Sequence, residues 1–332
     1  MNSQYDLLKK LTETYGPSGN EESIRHLIQE EIKDYVDEMK IDKMGNLIAI
    51  KKGNGTKVMI ASHMDEIGVI VTGIDENGFL RFANIGGVSP YISLGQRVQF
   101  ADGTIGVIGM EHLEDMKKLK LDKMYIDIGS KNKEDAMQKV TIGDVACFYR
   151  LYTTLNDAIT AKALDDRIGC FIAIETLKKI KDSSNELYFV FTVQEELGLR
   201  GAKTAAFGID PDLGIAVDVT TTGDTPKAKA MAVKLGKGPA IKIKDNSLLS
   251  HPAVKSLMIN TAKDHKIPYQ LEVLEFGGTD SGAIHVTRSG VPSGVLSIPC
   301  RYVHSPSEMV SKDDVENAII LLTKILERDI VL

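Results

Sequence analysis

Five short segments of this chain carry the side chains that could do chemistry. They are His63-Met64-Asp65, Leu164-Asp165-Asp166-Arg167, Gln194-Glu195-Glu196-Leu197-Gly198, Val217-Asp218-Val219 and Val303-His304-Ser305-Pro306. Each follows or adjoins an apolar run, so each reads as the end of a strand or the start of a helix. Ligands of open α/β sheets collect at the carboxyl ends of the strands, so the five segments can converge. Together they supply two imidazoles and several carboxylates, a donor set for one or two divalent ions such as Zn, Co or Mn. Each segment also has an ordinary structural reading. His63 can be a hydrogen-bonded histidine, Asp165-Asp166-Arg167 a helix cap with an ion pair, Glu195-Glu196 a solvated loop start, and Asp218 the cap of a turn. Polar groups beside buried strands need partners, which favours a joint role. The residue types leave both readings open.

The elements that must position these residues are legible along the chain. Tyr5–Tyr15 carries Leu7, Leu8 and Leu11 on one helical face. After Gly16-Pro17-Ser18-Gly19-Asn20, a second helix shows Ile24, Leu27, Ile28 and Ile32, with Asn20 expected as its N-cap. Strands are expected at Asn46–Lys51 and from Val58 into His63. Asn77-Gly78 marks a hairpin, and short strands follow near 98–100, 104–108, 124–128 and 145–149. Residues 69–156 therefore read as a small all-β module inserted into an α/β domain made of 1–68 and 157–332. In that domain a helix is expected over 167–181, with Cys170, Phe171, Ile174 and Leu177 inward. Strands follow near 187–193, 213–217, 240–244, 270–274 and 295–298. The last helix carries Val315, Ala318, Ile319, Leu322 and Leu326 on one face, and Ser311 with Asp314 is expected to form a capping box.

Composition narrows the classes. The chain has 332 residues, 43% hydrophobic, and a formal charge of −6 from 40 basic and 46 acidic residues. That balance argues against non-specific nucleic-acid binding and against an anionic-membrane anchor. No apolar run approaches the roughly 18 residues of a membrane helix, and the start of the chain shows no signal-peptide stretch. Cys147, Cys170 and Cys300 are too few and scattered for a disulfide framework or a metal knuckle. A cytoplasmic protein is expected.

The motifs resemble a known family. His63-Met64-Asp65-Glu66-Ile67-Gly68, Ala163-Leu164-Asp165-Asp166-Arg167, Gln194-Glu195-Glu196-Leu197-Gly198, Asp218 and Tyr302-Val303-His304-Ser305 are similar to the metal-site motifs of the di-metal aminopeptidases. That group includes the glutamyl, deblocking and tetrahedral (TET) aminopeptidases. Gly16-Pro17-Ser18-Gly19 and Gly277-Gly278-Thr279-Asp280-Ser281-Gly282 match further signatures, and the likeness runs from about Leu7 to the last helix. The resemblance implies a mixed sheet flanked by helices, of the di-zinc exopeptidase kind, with the inserted β-barrel-like module serving dimerisation. It implies two divalent ions per subunit, Zn or Co in the first place and Mn as a further option. One would be held by His63, Asp165 and Asp218, the second by Asp165, Glu196 and His304, with Asp165 bridging. Glu195 would be the general acid/base, and Asp65 would orient the His63 ring. Peptides would be the substrates, and the subunits would assemble as dimers, with a tetrahedral dodecamer as the larger alternative.

That chemistry is coherent. Two ions about 3.5–4 Å apart acidify a water and polarise a carbonyl, and a carboxylate can carry the proton to the leaving amine. Neighbours on an extended chain point to opposite sides, so Glu195 and Glu196 are expected to divide the two tasks. Two other hydrolytic readings use part of the same set. A metal-dependent deacylase of N-acyl amino acids would need similar ligands. A glycoside hydrolase would need carboxylates about 5–9.5 Å apart across a sugar, and a chain without Trp offers few stacking platforms. A third reading, metals that only stabilise a non-catalytic assembly, would leave Glu195 without a task. Lys242 and Lys244 share one strand face near the proposed site. They read as solvated, with readout of an acidic side chain as the alternative.

Overall fold

The computed structural model describes residues 5–331. Residues 1–4, the start of the segment read as carrying no leader, lie outside the described residues, as does Leu332. Eleven strands of the described residues form one mixed sheet. Its centre is four parallel strands in the order Glu186–Thr192, Lys57–His63, Leu213–Thr220 and Ser293–Arg301. Leu47–Lys51 and Glu38–Ile41 extend one side. Glu308–Ser311, Ala158–Ala161 and Thr153–Leu155 extend the other. Ala240–Lys244 and Gln270–Val273 branch from Ser293–Arg301.

Alternation along the strands sorts their side chains into two cores, as a pleated sheet requires. Leu47, Ala49, Val58, Ile60, Phe189 and Phe191 face the larger core. Ile48, Ile50, Met59, Ala61 and Val190 face a smaller one completed by the helix Arg200–Ile209. The helix Leu164–Lys179 lies inside the larger core, between the sheet and the helices Asp6–Glu13, Glu22–Ile32 and Lys312–Leu326. Cys170, Phe171, Ile174 and Leu177 are buried as expected, and so are Ile168, Ile172 and Ala173. From Ile168 to Ile174 the helix is covered on every side and keeps no polar stripe; its last turns carry Glu175, Lys178 and Lys179 toward solvent. Each large apolar side chain so buried contributes about 1.5–3 kcal/mol.

A second, closed barrel runs Gly68–Ile74, Leu80–Ile85, Met124–Asp127, Ile105–Met110, Arg97–Phe100 and Val145–Phe148 around its own core. It leaves the large sheet five residues after His63. Its last strand ends at Phe148, and Thr153–Leu155 already pairs in the large sheet. The expected hairpin is present, with Gly78 at φ +87° in its turn.

Two expected caps are not formed. Asn20 does not cap the second helix; Glu21 precedes it, and the Glu21 carboxylate turns back to the Gly19 N–H. Ser311 starts the last helix without a side-chain bond, because Asp314 is drawn away to accept from Gly236 and Gly238 N–H. The helices Arg200–Ile209 and Pro252–Asp264 lie outside the sequence expectations; each buries one face, Ala202, Ala205, Ala206 and Ile209 in the first and Val254, Met258 and Ala262 in the second.

Candidate metal centre

The parallel strands bring the five segments to one edge of the sheet. His63 ends its strand opposite Thr192 of the next. Asp218 lies two residues beyond Ala216, whose partner is Ala61, so it stands level with His63. Glu195 and Glu196 follow Thr192, and His304 follows Arg301. Asp165 and Asp166 sit at the mouth of the central helix with non-helical backbone angles. Gly169 lets that helix approach: a Cβ there would stand 2.6 Å from the Val217 carbonyl oxygen and 2.3 Å from Asp166 Oδ2.

Asp165 is the centre of the cluster. Its Oδ1 is 3.0 Å from His63 Nε2, and its Oδ2 is 3.3 Å from His304 Nε2. His304 Nε2 is also 3.2 Å from Glu196 Oε1. Donor atoms of His63, Asp165 and Glu196 lie within 4.8 Å of one another, and so do those of His63, Asp166 and Asp218. Asp166 is a member that the sequence reading left without a ligand role. It is fully buried, accepts from Gly169 N–H and does not line the cleft, whereas Asp165 and Asp218 do.

Asp65 meets His63 through its backbone first: His63 Nδ1 is 3.2 Å from the Asp65 carbonyl oxygen and 3.5 Å from Oδ1. The Asp65 carboxylate also accepts from the N–H groups of Glu195 and Glu196, and from Ser18 Oγ. It therefore ties the Gly16–Gly19 loop, His63 and the two glutamates into one frame. Those glutamates do not lie on extended chain, as the alternation argument assumed. Gln194 has φ +53° and the backbone bends there. Both carboxylates consequently reach the same cleft, Glu195 to 4.0 Å from His63 Nε2 and Glu196 to His304.

The charges are unbalanced in a telling way. Asp65, Asp165, Asp166, Glu195, Glu196, Asp218 and Asp280 crowd around two imidazoles. Burial pushes the Glu195, Asp218 and Asp166 carboxyls well above the carboxylate range, and the neighbouring carboxylates push them further. Burial would lower both imidazoles, but the carboxylates outweigh it, raising His63 and pushing His304 up to about 12. Asp166 Oδ2 and Asp280 Oδ1 are buried without a hydrogen-bond partner. A cluster of N and O donors short of positive charge fits divalent cations.

Sequence reasoning missed several supports. Glu308 is 2% exposed and accepts from the N–H of both Asp165 and His304, each at 2.8 Å. It holds His304 at φ +60°, a conformation that costs about 1–3 kcal/mol when unsupported. Its sequence signal was weak, a lone Glu four residues past a histidine. Glu308→Gln keeps the shape but presents an amide donor to one of two N–H donors. We expect metal affinity to fall about 10–100-fold, as outer partners of ligands typically cost, measured by competition with a chromogenic chelator. The barrel also reaches the site: a Cβ on Gly87 would stand 2.3 Å from His304 Nδ1. Glu66 pairs with Lys162 at 2.7 Å and with Arg167 at 3.3 Å, all three side chains buried.

The model of the M42 glutamyl aminopeptidase family matches residues 45–321. This chain belongs to that family. A putative aminopeptidase of Acetivibrio thermocellus is 58% identical over 96% of this chain and 97% of its own. The solved aminopeptidase of Desulfurococcus kamchatkensis superposes with a TM-score of 0.93 at 41% identity, covering 97% of this chain and 94% of the other. The TET1 peptidase of Pyrococcus horikoshii, which assembles into a tetrahedron or a large octahedral shell, gives 0.89 at 35% identity, over 98% and 99%. As an M42 aminopeptidase the chain is a metal-dependent peptide hydrolase. No helix of the described residues is long and apolar enough to cross a membrane.

Proposed function

We propose that the cleft releases N-terminal residues from peptides with two divalent ions, Zn or Co in the first place and Mn as an alternative. His63, Asp165 and Asp218 would hold one ion, and Asp165, Glu196 and His304 the other. The observation that carries this reading is Asp165, whose two oxygens face one imidazole each. When bound, such ions polarise the peptide carbonyl and make water acidic enough to react at neutral pH.

The chain's own residues supply the rest. Asp65 fixes the His63 ring and the backbone of Glu195 and Glu196. Among the described residues the Glu195 carboxylate accepts no hydrogen bond, so it is free to take the proton of the attacking water. It then delivers that proton to the amine that leaves. The acidic lining favours a substrate with a free α-ammonium over a blocked one. Exhaustive chelation should abolish hydrolysis of aminoacyl-nitroanilides, and added Zn, Co or Mn should restore it at two ions per chain. Full activity in metal-free protein, or saturation at one ion, would reject the two-ion reading. Faster turnover of N-acylated than of free-amine substrates would point to the deacylase instead.

We also propose that the barrel faces a second copy of the chain. The strand Ile105–Met110 turns Ile105 and Val107 outward, 37% and 45% exposed. The TET1 relative assembles into a tetrahedron or a large octahedral shell and is also seen as a dodecamer, which supports a homo-oligomer here. Ile105→Asp with Val107→Asp should lower the mass seen by light scattering; an unchanged oligomer would remove this face from the contact.

A further inference from the structure

The cleft encloses about 500 Å³, and beyond the carboxylates and imidazoles its lining is largely apolar: Leu199, Val219, Leu274, Phe276 and Val303. Among the described residues Lys242 is the one Lys or Arg in that lining. Contrary to the expectation of a solvated side chain, it is 1% exposed. Its Nζ lies 3.1 Å from Glu272 Oε1 and 3.5 Å from Asp245 Oδ2, and both carboxylates are fully covered. Neither acid is free to move away. Glu272 accepts from Thr220 Oγ1, and Asp245 Oδ1 accepts from Ser247 and Leu248 N–H. Lys244 is exposed and reaches only the Asp245 carbonyl. Lys229 stands over the Phe276 ring, 5.2 Å from its centroid, and does not line the cleft.

One cation matched by two fixed anions has no charge left for a third carboxylate. Turning Lys242 toward a substrate would strand two buried acids, which is strongly unfavourable. Those same acids are fully covered and already turned to Lys242, so neither projects a carboxylate toward a basic side chain in the cleft. The other anions of the lining belong to the proposed metal and proton-transfer groups. We propose that this cleft selects an uncharged, apolar N-terminal side chain such as Leu or Met. Glu272 and Asp245 would set that choice by neutralising Lys242. The proposal rests on the aminopeptidase reading of the same cleft.

The test is kcat/KM of the full-length, metal-loaded protein on Leu-, Met-, Lys- and Glu-p-nitroanilide. Leu or Met should exceed Glu by about 100-fold and Lys by about tenfold, the scale on which apolar pockets and unpaired polar groups discriminate. Glu272→Gln removes one of the two anions facing Lys242. It should raise the Glu:Leu ratio by about tenfold, a ratio in which any general loss of activity cancels. Asp245→Asn should move the ratio the same way and stands in if the first variant does not fold. A wild-type preference for Glu or Lys would overturn the proposal, as would an unchanged ratio in a folded variant. Turnover of none of the four would overturn the aminopeptidase reading and the selectivity with it, whereas turnover in the wrong order overturns the selectivity alone.

Discussion

Glu195→Gln is expected to lower kcat by roughly 10²–10⁴, the usual worth of a general acid/base, with metal content unchanged. The amide has the size of the carboxylate but cannot take a proton. The position of residue 195 does not depend on its side chain, because its N–H is held by Asp65 Oδ1 at 3.0 Å. The carboxylate itself stands 4.0 Å from His63 Nε2, farther than Asp165 at 3.0 Å. Glu196 differs in kind. Its Oε1 lies 3.2 Å from His304 Nε2 and its side chain is 4% exposed, against 12% for Glu195. Glu196→Gln should therefore weaken one ion, and its activity should recover in part at high metal concentration. Stoichiometry by mass spectrometry of dialysed protein, with steady-state kinetics at saturating metal, separates the two variants. Loss of an ion from Glu195→Gln and not from Glu196→Gln would mean that the roles are exchanged.

The residues brought together at the sheet edge were legible because the strands that carry them are. Val58–Ala61, Leu187–Phe191 and Leu213–Val217 are apolar runs too continuous for a half-exposed sheet. Runs of that kind form parallel strands buried on both faces, and parallel strands present their carboxyl ends on one side. Once His63, Asp218 and Glu195-Glu196 follow such runs, their proximity follows as well. The barrel was legible for a related reason. Successive strands joined by tight glycine turns pair with their neighbours in sequence, and here they close on a core of their own.

What the sequence hid is what depends on contacts between distant segments. Ala240–Lys244 alternates Ile and Lys, which reads as an amphipathic strand with both lysines in water. Lys242 is nonetheless buried, because Glu272 arrives from a strand 30 residues further on and neutralises it. Glu308 gives no local sign that it will join Asp165 to His304. The bend at Gln194 was hidden too, since a non-glycine residue at φ +53° has no signature in residue type. In each case a polar contact made only in the fold overrides the local pattern.

Asp165→Ala is expected to be the most damaging ligand substitution, with both ions lost and no recovery of activity at high metal concentration. The two oxygens of Asp165 lie one 3.0 Å from His63 and one 3.3 Å from His304. His63 and His304 each serve one side of the cluster, so His63→Ala should leave a protein that still binds one ion. Removing Asp165 takes a donor from both sides at once. It also removes the negative charge between two cations a few ångströms apart, where Coulomb repulsion is steepest. Asp166 is the internal control. Its carboxylate is grouped with His63 and Asp218, yet it is buried behind the cleft lining and already accepts from Gly169 N–H. Asp166→Asn should fold and retain both ions, because an amide can keep its oxygen on that N–H. Metal stoichiometry of the three variants after dialysis decides between the neighbours. Two ions retained in Asp165→Ala, or both lost from Asp166→Asn, would move the bridging role from one aspartate to the other.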